Sequence, residues 1–152
     1  MILLLDTNVI MDWILHREGY ENAVSILELA YKEEAIECVT ASSITDINYI
    51  AYKETKDSLG AQESIRKMLE LITVLPVSRS DIEAALNLEW NDFEDAVQYA
   101  VARANGVDII VSRNRKDFER KEIPVMTPQA FLEQLRLNKL VAFRKGNEPP
   151  LE

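Results

Sequence analysis

The 152-residue chain carries 17 Lys+Arg against 26 Asp+Glu, a formal net charge of −9, with 47% hydrophobic and 28% charged residues. That length fits one domain of roughly 100–200 residues with a sizeable core, and the composition excludes a disordered chain. A single cysteine, Cys38, and a single histidine, His16, exclude a disulfide framework and Cys/His zinc spacing.

Ile2 to Leu5 is a continuous apolar run, which predicts a strand buried on both faces. No basic residue precedes it, Asp6 stops it and no small-residue cleavage site follows, so a secretory leader is not expected. No stretch reaches the roughly 18–20 apolar residues of a membrane span. The expectation is a soluble protein of a reducing, cytoplasmic compartment. Asp6-Thr7-Asn8 offers cap chemistry for a helix from Val9 to Leu15, and Ala23, Ile26, Leu27 and Ala30 place another over Tyr20 to Lys32. Glu37 to Thr40 is β-prone, and Ala41-Ser42-Ser43 leads into a helix with Ile44, Ile47, Ile50 and Ala51 on one side. A helix from about Gly60 to Leu71 and a strand over Thr73–Val77 follow.

Ser80 with Glu83 has capping-box spacing for the next helix. Asn91 to Asn105 reads as a helix with Phe93, Ala96, Val97, Ala100, Val101 and Ala104 inward, closed by Gly106. Asp108–Ser112 is a strand, residues 114–121 are polar and start as a short helix, and Pro124–Thr127 is an edge strand. Thr127 caps a helix from Pro128 to about Leu137. Strands alternating with helices predict an α/β fold, a three-layer α/β/α sandwich around a mostly parallel sheet of four to five strands. Residues 1–137 form a single domain in this reading, and residues 138–152, with Gly146 and Pro149-Pro150, a mobile C-terminal tail.

Ligands of such sheets bind outside the carboxyl ends of the strands. Asp6 follows the first strand, Asp46 lies early in the helix after the second, and Asp92 and Asp95 open the helix before the strand at Asp108. Ser112, Asn114 and Asp117 follow that strand. Taken singly, capping or the helix dipole accounts for each acid, and Asp117 can cap or pair with Arg113 or Arg120. Gathered together they raise one another's pKa values, a conflict that hard, oxygen-seeking Mg²⁺ or Mn²⁺ resolves. The net acidity excludes nucleic-acid binding by bulk charge, but a cation in an acidic cleft reverses the local sign. His16 reads as a loop histidine, and Cys38 as a small buried residue with no base beside it in sequence.

Four segments then resemble the PIN-domain nucleases, a family that includes the VapC-type toxins of bacterial toxin–antitoxin pairs. They are Leu4-Leu5-Asp6-Thr7-Asn8-Val9, Ala41-Ser42-Ser43-Ile44-Thr45-Asp46-Ile47, Asp95 through Ala102 ending at Gly106, and Val111-Ser112-Arg113-Asn114-Arg115-Lys116-Asp117-Phe118. The likeness covers roughly residues 1–135 and implies a metal-dependent ribonuclease that hydrolyses RNA phosphodiester bonds, an endoribonuclease of the toxin type. It implies Asp6, Asp46, Asp95 and Asp117 as the four acids around one or two Mg²⁺ or Mn²⁺ ions. Thr7, Asn8, Ser112 and Asn114 match the supporting hydroxyl and amide positions. Asp46 stands where Glu is common, one methylene shorter, and only Asp117, not Asn114, supplies the fourth charge.

Arg113, Arg115 and Lys116 lie where an acidic protein needs local cations to guide an RNA backbone. The resemblance also implies a homodimer and an antitoxin protein as partner, with no membrane. The alternative reading is a catalytically weak or inactive relative that binds RNA or an antitoxin. A receiver-like signalling domain is disfavoured, because the late strands supply neither its phospho-accepting Asp nor its Lys.

Overall fold

The structure is a computed structural model that describes residues 1–118 and 122–146, the side chains of Asp117 and of residues 141–146 excepted. Five strands form one parallel sheet: β1 (Ile2–Leu5), β2 (Ile36–Thr40), β3 (Thr73–Leu75), β4 (Ile109–Val111) and β5 (Val125–Met126), in the order β3-β2-β1-β4-β5. Among the described residues seven helices flank it: α1 (Thr7–Ile14), α2 (Tyr20–Tyr31), α3 (Ala41–Thr55), α4 (Ser58–Leu69), α5 (Arg79–Leu88), α6 (Phe93–Ala104) and α7 (Pro128–Gly146).

Why the sheet takes helices on both faces is visible in β1. Leu3, Leu4 and Leu5 are all at most 1% exposed, and strand alternation sends them in opposite directions. Leu3 and Leu5 join Val9, Ile26, Ile47, Met68 and Phe131 in one apolar layer under α1, α2, α3, α4 and α7. Leu4 joins Cys38, Tyr99, Val101, Ile110 and Phe118 in the other, under α5 and α6. The central strand β1 pairs with β2 on one side and β4 on the other, with Leu4 level with both Cys38 and Ile110. The chain leaves β1 toward β2 and returns beyond it to β4, so the switch point of the sheet falls at the carboxyl ends of β1 and β4.

The structure corrects several sequence expectations at element ends. The helix α1 starts at Thr7, not Val9, and the capping box of α5 is Ser78 with Asp81 rather than Ser80 with Glu83. There, the Ser78 Oγ accepts from the Asp81 amide at 3.3 Å, and the Ser78 amide donates back to Asp81 Oδ2 at 2.8 Å. Phe93 is 47% exposed and Ala104 is exposed, whereas every residue from Asp95 to Ala102 is buried. Packing against both the sheet and α5 buries this helix all round, so a single inward stripe does not describe it. Gly106 follows the end of α6 with φ +64°, the left-handed conformation that glycine adopts without cost.

The last helix runs through Gly146 instead of ending near Leu137, so the segment expected as a tail from 138 begins as helix. Lys139 holds it to Glu34 beyond the end of α2, with Nζ to Oε2 at 2.6 Å. Residues 147–152, and Arg120 and Lys121, lie outside the described residues.

One buried acid is poorly compensated. Glu37 on β2 is 1% exposed, and among the described residues neither carboxylate oxygen has a well-formed hydrogen bond, the Ala30 backbone offsetting its burial only in part. Burial pushes its carboxyl from the usual 4.5 up to about 8. The folded state therefore binds this proton more tightly than the unfolded chain, and stability falls as pH rises from 4.5 through 8. The loss over that window is on the order of 4 kcal/mol. Urea unfolding across pH 5–8.5 is expected to show this decline in the wild type and a much flatter profile in Glu37→Gln; parallel profiles would contradict it.

Candidate active site

Asp6 sits one residue past β1, and its backbone N–H extends the ladder onto Val111 O at 3.0 Å. It occupies the N-cap position of α1 with extended backbone, yet its side chain makes no capping bond. The carboxylate is turned to other donors instead. Ser112 Oγ donates to Oδ2 at 2.6 Å, Asn8 Nδ2 donates to Oδ2 at 2.7 Å, and Gln98 Nε2 reaches Oδ1 at 3.4 Å. The three donors come from the end of β4, from α1 and from α6, so the meeting of three elements fixes one 6%-exposed carboxylate. Capping is the explanation that the geometry removes.

The support extends outward from Ser112. Its Oγ accepts from the Asn114 amide at 3.0 Å, and the Arg113 amide donates to Asn8 Oδ1 at 3.2 Å. Phe118, fully buried against Trp90, pins the far end of this loop. The loop is thus held at both ends, while Arg115 and Lys116 in its middle, a 3-10 turn over Arg115–Asp117, are exposed. On the other side of the cleft, Thr40 caps α3 through the Ser43 amide, which sets Asp46 in the second turn. Asp92 caps α6 by accepting from the Asp95 amide at 3.1 Å, leaving Asp95 in the first turn and 8% exposed.

Asp6, Asp46 and Asp95 line one open cleft of about 220 Å³ together with Thr7, Asn8 and Asn114. Ser112 lies behind it on Asp6. Asp117 stands in the 3-10 turn, but its side chain is outside the described residues. Arg115 and Lys116 are exposed in that turn. Arg113 is not part of the cleft wall; its Nη1 pairs with Asp12 Oδ1 at 3.3 Å in a neighbouring recess.

Sequence reasoning missed two participants. Glu94, which the sequence reading did not single out, lines the same cleft and accepts weakly from Thr7 Oγ1 at 3.5 Å. Gln98 is 1% exposed and reaches Asp6 from the turn of α6 after Asp95; the i, i+3 spacing was its available signal.

The electrostatics define what the cleft can hold. Although Glu94 remains solvent-accessible, crowding by the cleft walls pushes its carboxyl up, and the charges of Asp46, Asp6 and Asp92 push it further. Five carboxylates on one small surface are a set of hard oxygen donors whose mutual repulsion a divalent cation relieves. Among the described residues, no three His, Cys, Asp or Glu side chains already form a closed set that holds an ion. Mg²⁺ suits such an open arrangement, since it keeps several waters and needs only one or two carboxylates.

With the fold and cleft in place, comparison with known proteins gives the family. The PIN domain family profile matches residues 3–116, and the chain belongs to that family. Ribonuclease VapC1 of Aquifex aeolicus (strain VF5) is 26% identical over 136 residues, spanning 86% of this chain and 92% of that protein. Among solved structures, the DNA-bound VapBC of Salmonella typhimurium superposes with a TM-score of 0.65 at 16% identity, over 83% of this chain and 96% of that one. PAE2754 of Pyrobaculum aerophilum gives 0.63 at 17% identity, over 90% of each chain. These structures share the three-layer fold. No helix among the described residues is long and apolar enough to cross a membrane.

Two substitutions should move stability in opposite directions. Ser112→Ala leaves buried Asp6 and the Asn114 amide short of a partner and is expected to cost about 2 kcal/mol. Glu94→Gln removes one of the crowded charges and is expected to stabilise the cation-free protein. Urea unfolding in EDTA checks both, and a destabilised Glu94→Gln would contradict the account of the cleft.

Proposed function

We propose that the protein is a Mg²⁺- or Mn²⁺-dependent endoribonuclease, the toxin component of a toxin–antitoxin pair, acting as a homodimer in the cytoplasm. The observation that carries this reading is the carboxylate of Asp6, oriented by Asn8, Ser112 and Gln98 inside a cleft shared with Asp46, Asp92, Glu94 and Asp95. A relative named Ribonuclease VapC1 supports the RNA substrate, and neighbours that include a toxin–antitoxin complex from Klebsiella pneumoniae support the partner.

In this reading Asp6 and Asp95 hold the principal ion, with Asp46 and Asp117 completing the acidic set. Bound there, a divalent cation supplies a nucleophilic water at neutral pH and charge neutralisation at the scissile phosphate. The chain's own residues do the positioning. Ser112 and Asn8 keep Asp6 from rotating into the empty capping role, Thr7 restrains Glu94, and Asn114 borders the cleft. Arg115 and Lys116 present exposed cations in the loop that follows the cleft residue Asn114, where they would draw in an RNA backbone against the charge of −9.

The test is cleavage of a labelled single-stranded RNA oligonucleotide by wild type, Asp6→Asn and Asp95→Asn, with added Mn²⁺ or with EDTA. Cleavage should require the cation and fall by roughly a hundredfold or more in both variants. Cleavage that persists in EDTA would overturn the metal-dependent reading. Mn²⁺ binding without turnover would instead identify a catalytically silent member of the family.

A further inference from the structure

We propose that the ion pair between buried Asp12 and the half-exposed Arg113 is a positioning strut for the site, and that Arg113 acts on Asp6 through Asn8 rather than on RNA. The inference rests on the nuclease reading for its kinetic consequence, but its structural content is independent of it.

Asp12 lies on α1, 1% exposed, with no hydrogen-bond partner at either carboxylate oxygen. Among the described residues its charged contact is Arg113 Nη1 at 3.3 Å. An acid so placed is retained only at a cost in desolvation, and removing its partner leaves an uncompensated charge. Gly19 makes room for it, because a Cβ at that position would stand 2.0 Å from Asp12 Oδ2. The carboxylate is therefore walled in on one side by backbone and answers to Arg113 on the other.

Arg113 is the residue at which the loop leaves the site. Its neighbour Ser112 donates to Asp6, and its own amide donates to Asn8 Oδ1 at 3.2 Å. Asn8 in turn donates from Nδ2 to Asp6 Oδ2. The guanidinium thus clamps the loop to α1 from the side facing away from the cleft, while the amide and Ser112 face the site. Asp12 and Asn8 lie on the same helix, so the strut and the hydrogen bonds close one mechanical loop: α1, Asp12, Arg113, Asn8, α1. Loosening it lets Asn8 and Ser112 drift and frees the Asp6 carboxylate to change rotamer. Although its side chain is 43% exposed, the Arg113 guanidinium is engaged by Asp12, and that engagement sets it apart from Arg115 and Lys116.

The experiment uses the full chain as wild type, Asp12→Asn, Arg113→Lys, Arg113→Ala and the Asp12→Asn/Arg113→Ala double variant. Steady-state cleavage of the labelled RNA oligonucleotide with Mn²⁺ is measured across a salt series. A positioning role predicts kcat about tenfold lower in Asp12→Asn and in Arg113→Ala, and no more than about tenfold lower in the double variant, because the two residues act as one unit. Arg113→Lys, which keeps the charge opposite Asp12, should recover part of the loss. KM and its salt dependence should stay within twofold of wild type. A phosphate-binding Arg113 would instead raise KM, keep kcat and reduce the salt slope by about one, and Asp12→Asn would behave as wild type; that pattern overturns the proposal.

A second readout needs no turnover. In ¹⁵N-labelled protein the Asn8 side-chain amide signal, assigned by its loss in Asn8→Asp, should move in the same direction in Asp12→Asn and Arg113→Ala. An unmoved signal in either variant overturns the strut even if wild type cleaves no RNA, whereas absent cleavage with a moved signal overturns only the nuclease reading.

Discussion

The orientation of one carboxylate organises this molecule. An Asp directly after a buried strand and before a helix ordinarily satisfies the orphaned amides of the first turn. Asp6 does not, because Ser112, Asn8 and Gln98 claim its oxygens from three elements. Each donor depends on the packing of its element: Ser112 on β4 beside β1, Asn8 on the first turn of α1, and Gln98 on a helix buried on both sides. In the proposed reading the fold would act on function through this single side chain, and the buried leucines of β1 hold the strand from which it projects.

The same placement explains why so acidic a protein concentrates its charge. Asp46, Asp92, Glu94 and Asp95 share the cleft of Asp6, and burial first, then the charges of Asp46, Asp6 and Asp92, push the carboxyl of Glu94 up. A site that is electrostatically unfavourable when empty would bind a cation more tightly for that reason, and functional sites commonly carry such local cost. Glu37 is a different kind of acid. It is buried away from the cleft and affects stability rather than the site.

Much of the architecture was legible in the chain. The run Ile2–Leu5, ended by Asp6, could only be a strand covered on both faces, and all five strands fall where the apolar and β-prone segments put them. Asp6, Asp46 and Asp95 were legible because each lies at or just beyond a strand end or in the opening turns of a helix. The errors have physical causes. Ser78-Arg79-Ser80-Asp81 and Ser80 with Glu83 offer two overlapping registers for one capping box, and composition does not choose between them. The inward face of α6 was misjudged because a helix enclosed on two sides has no single apolar stripe, which also hid Gln98 and left Phe93 wrongly inside. Arg113 was readable as a basic residue beside the site. Its partner Asp12 was not, since only the folded chain brings α1 to the loop after β4.

The most direct test of the central claim is a crystal structure of the protein soaked in Mn²⁺, with data collected at a wavelength where manganese scatters anomalously. The account predicts an anomalous peak in the cleft with Asp6 among its ligands, and the loss of that peak in Asp6→Asn crystals grown and soaked identically. A cleft without the peak, or manganese bound equally well without the Asp6 carboxylate, would contradict it.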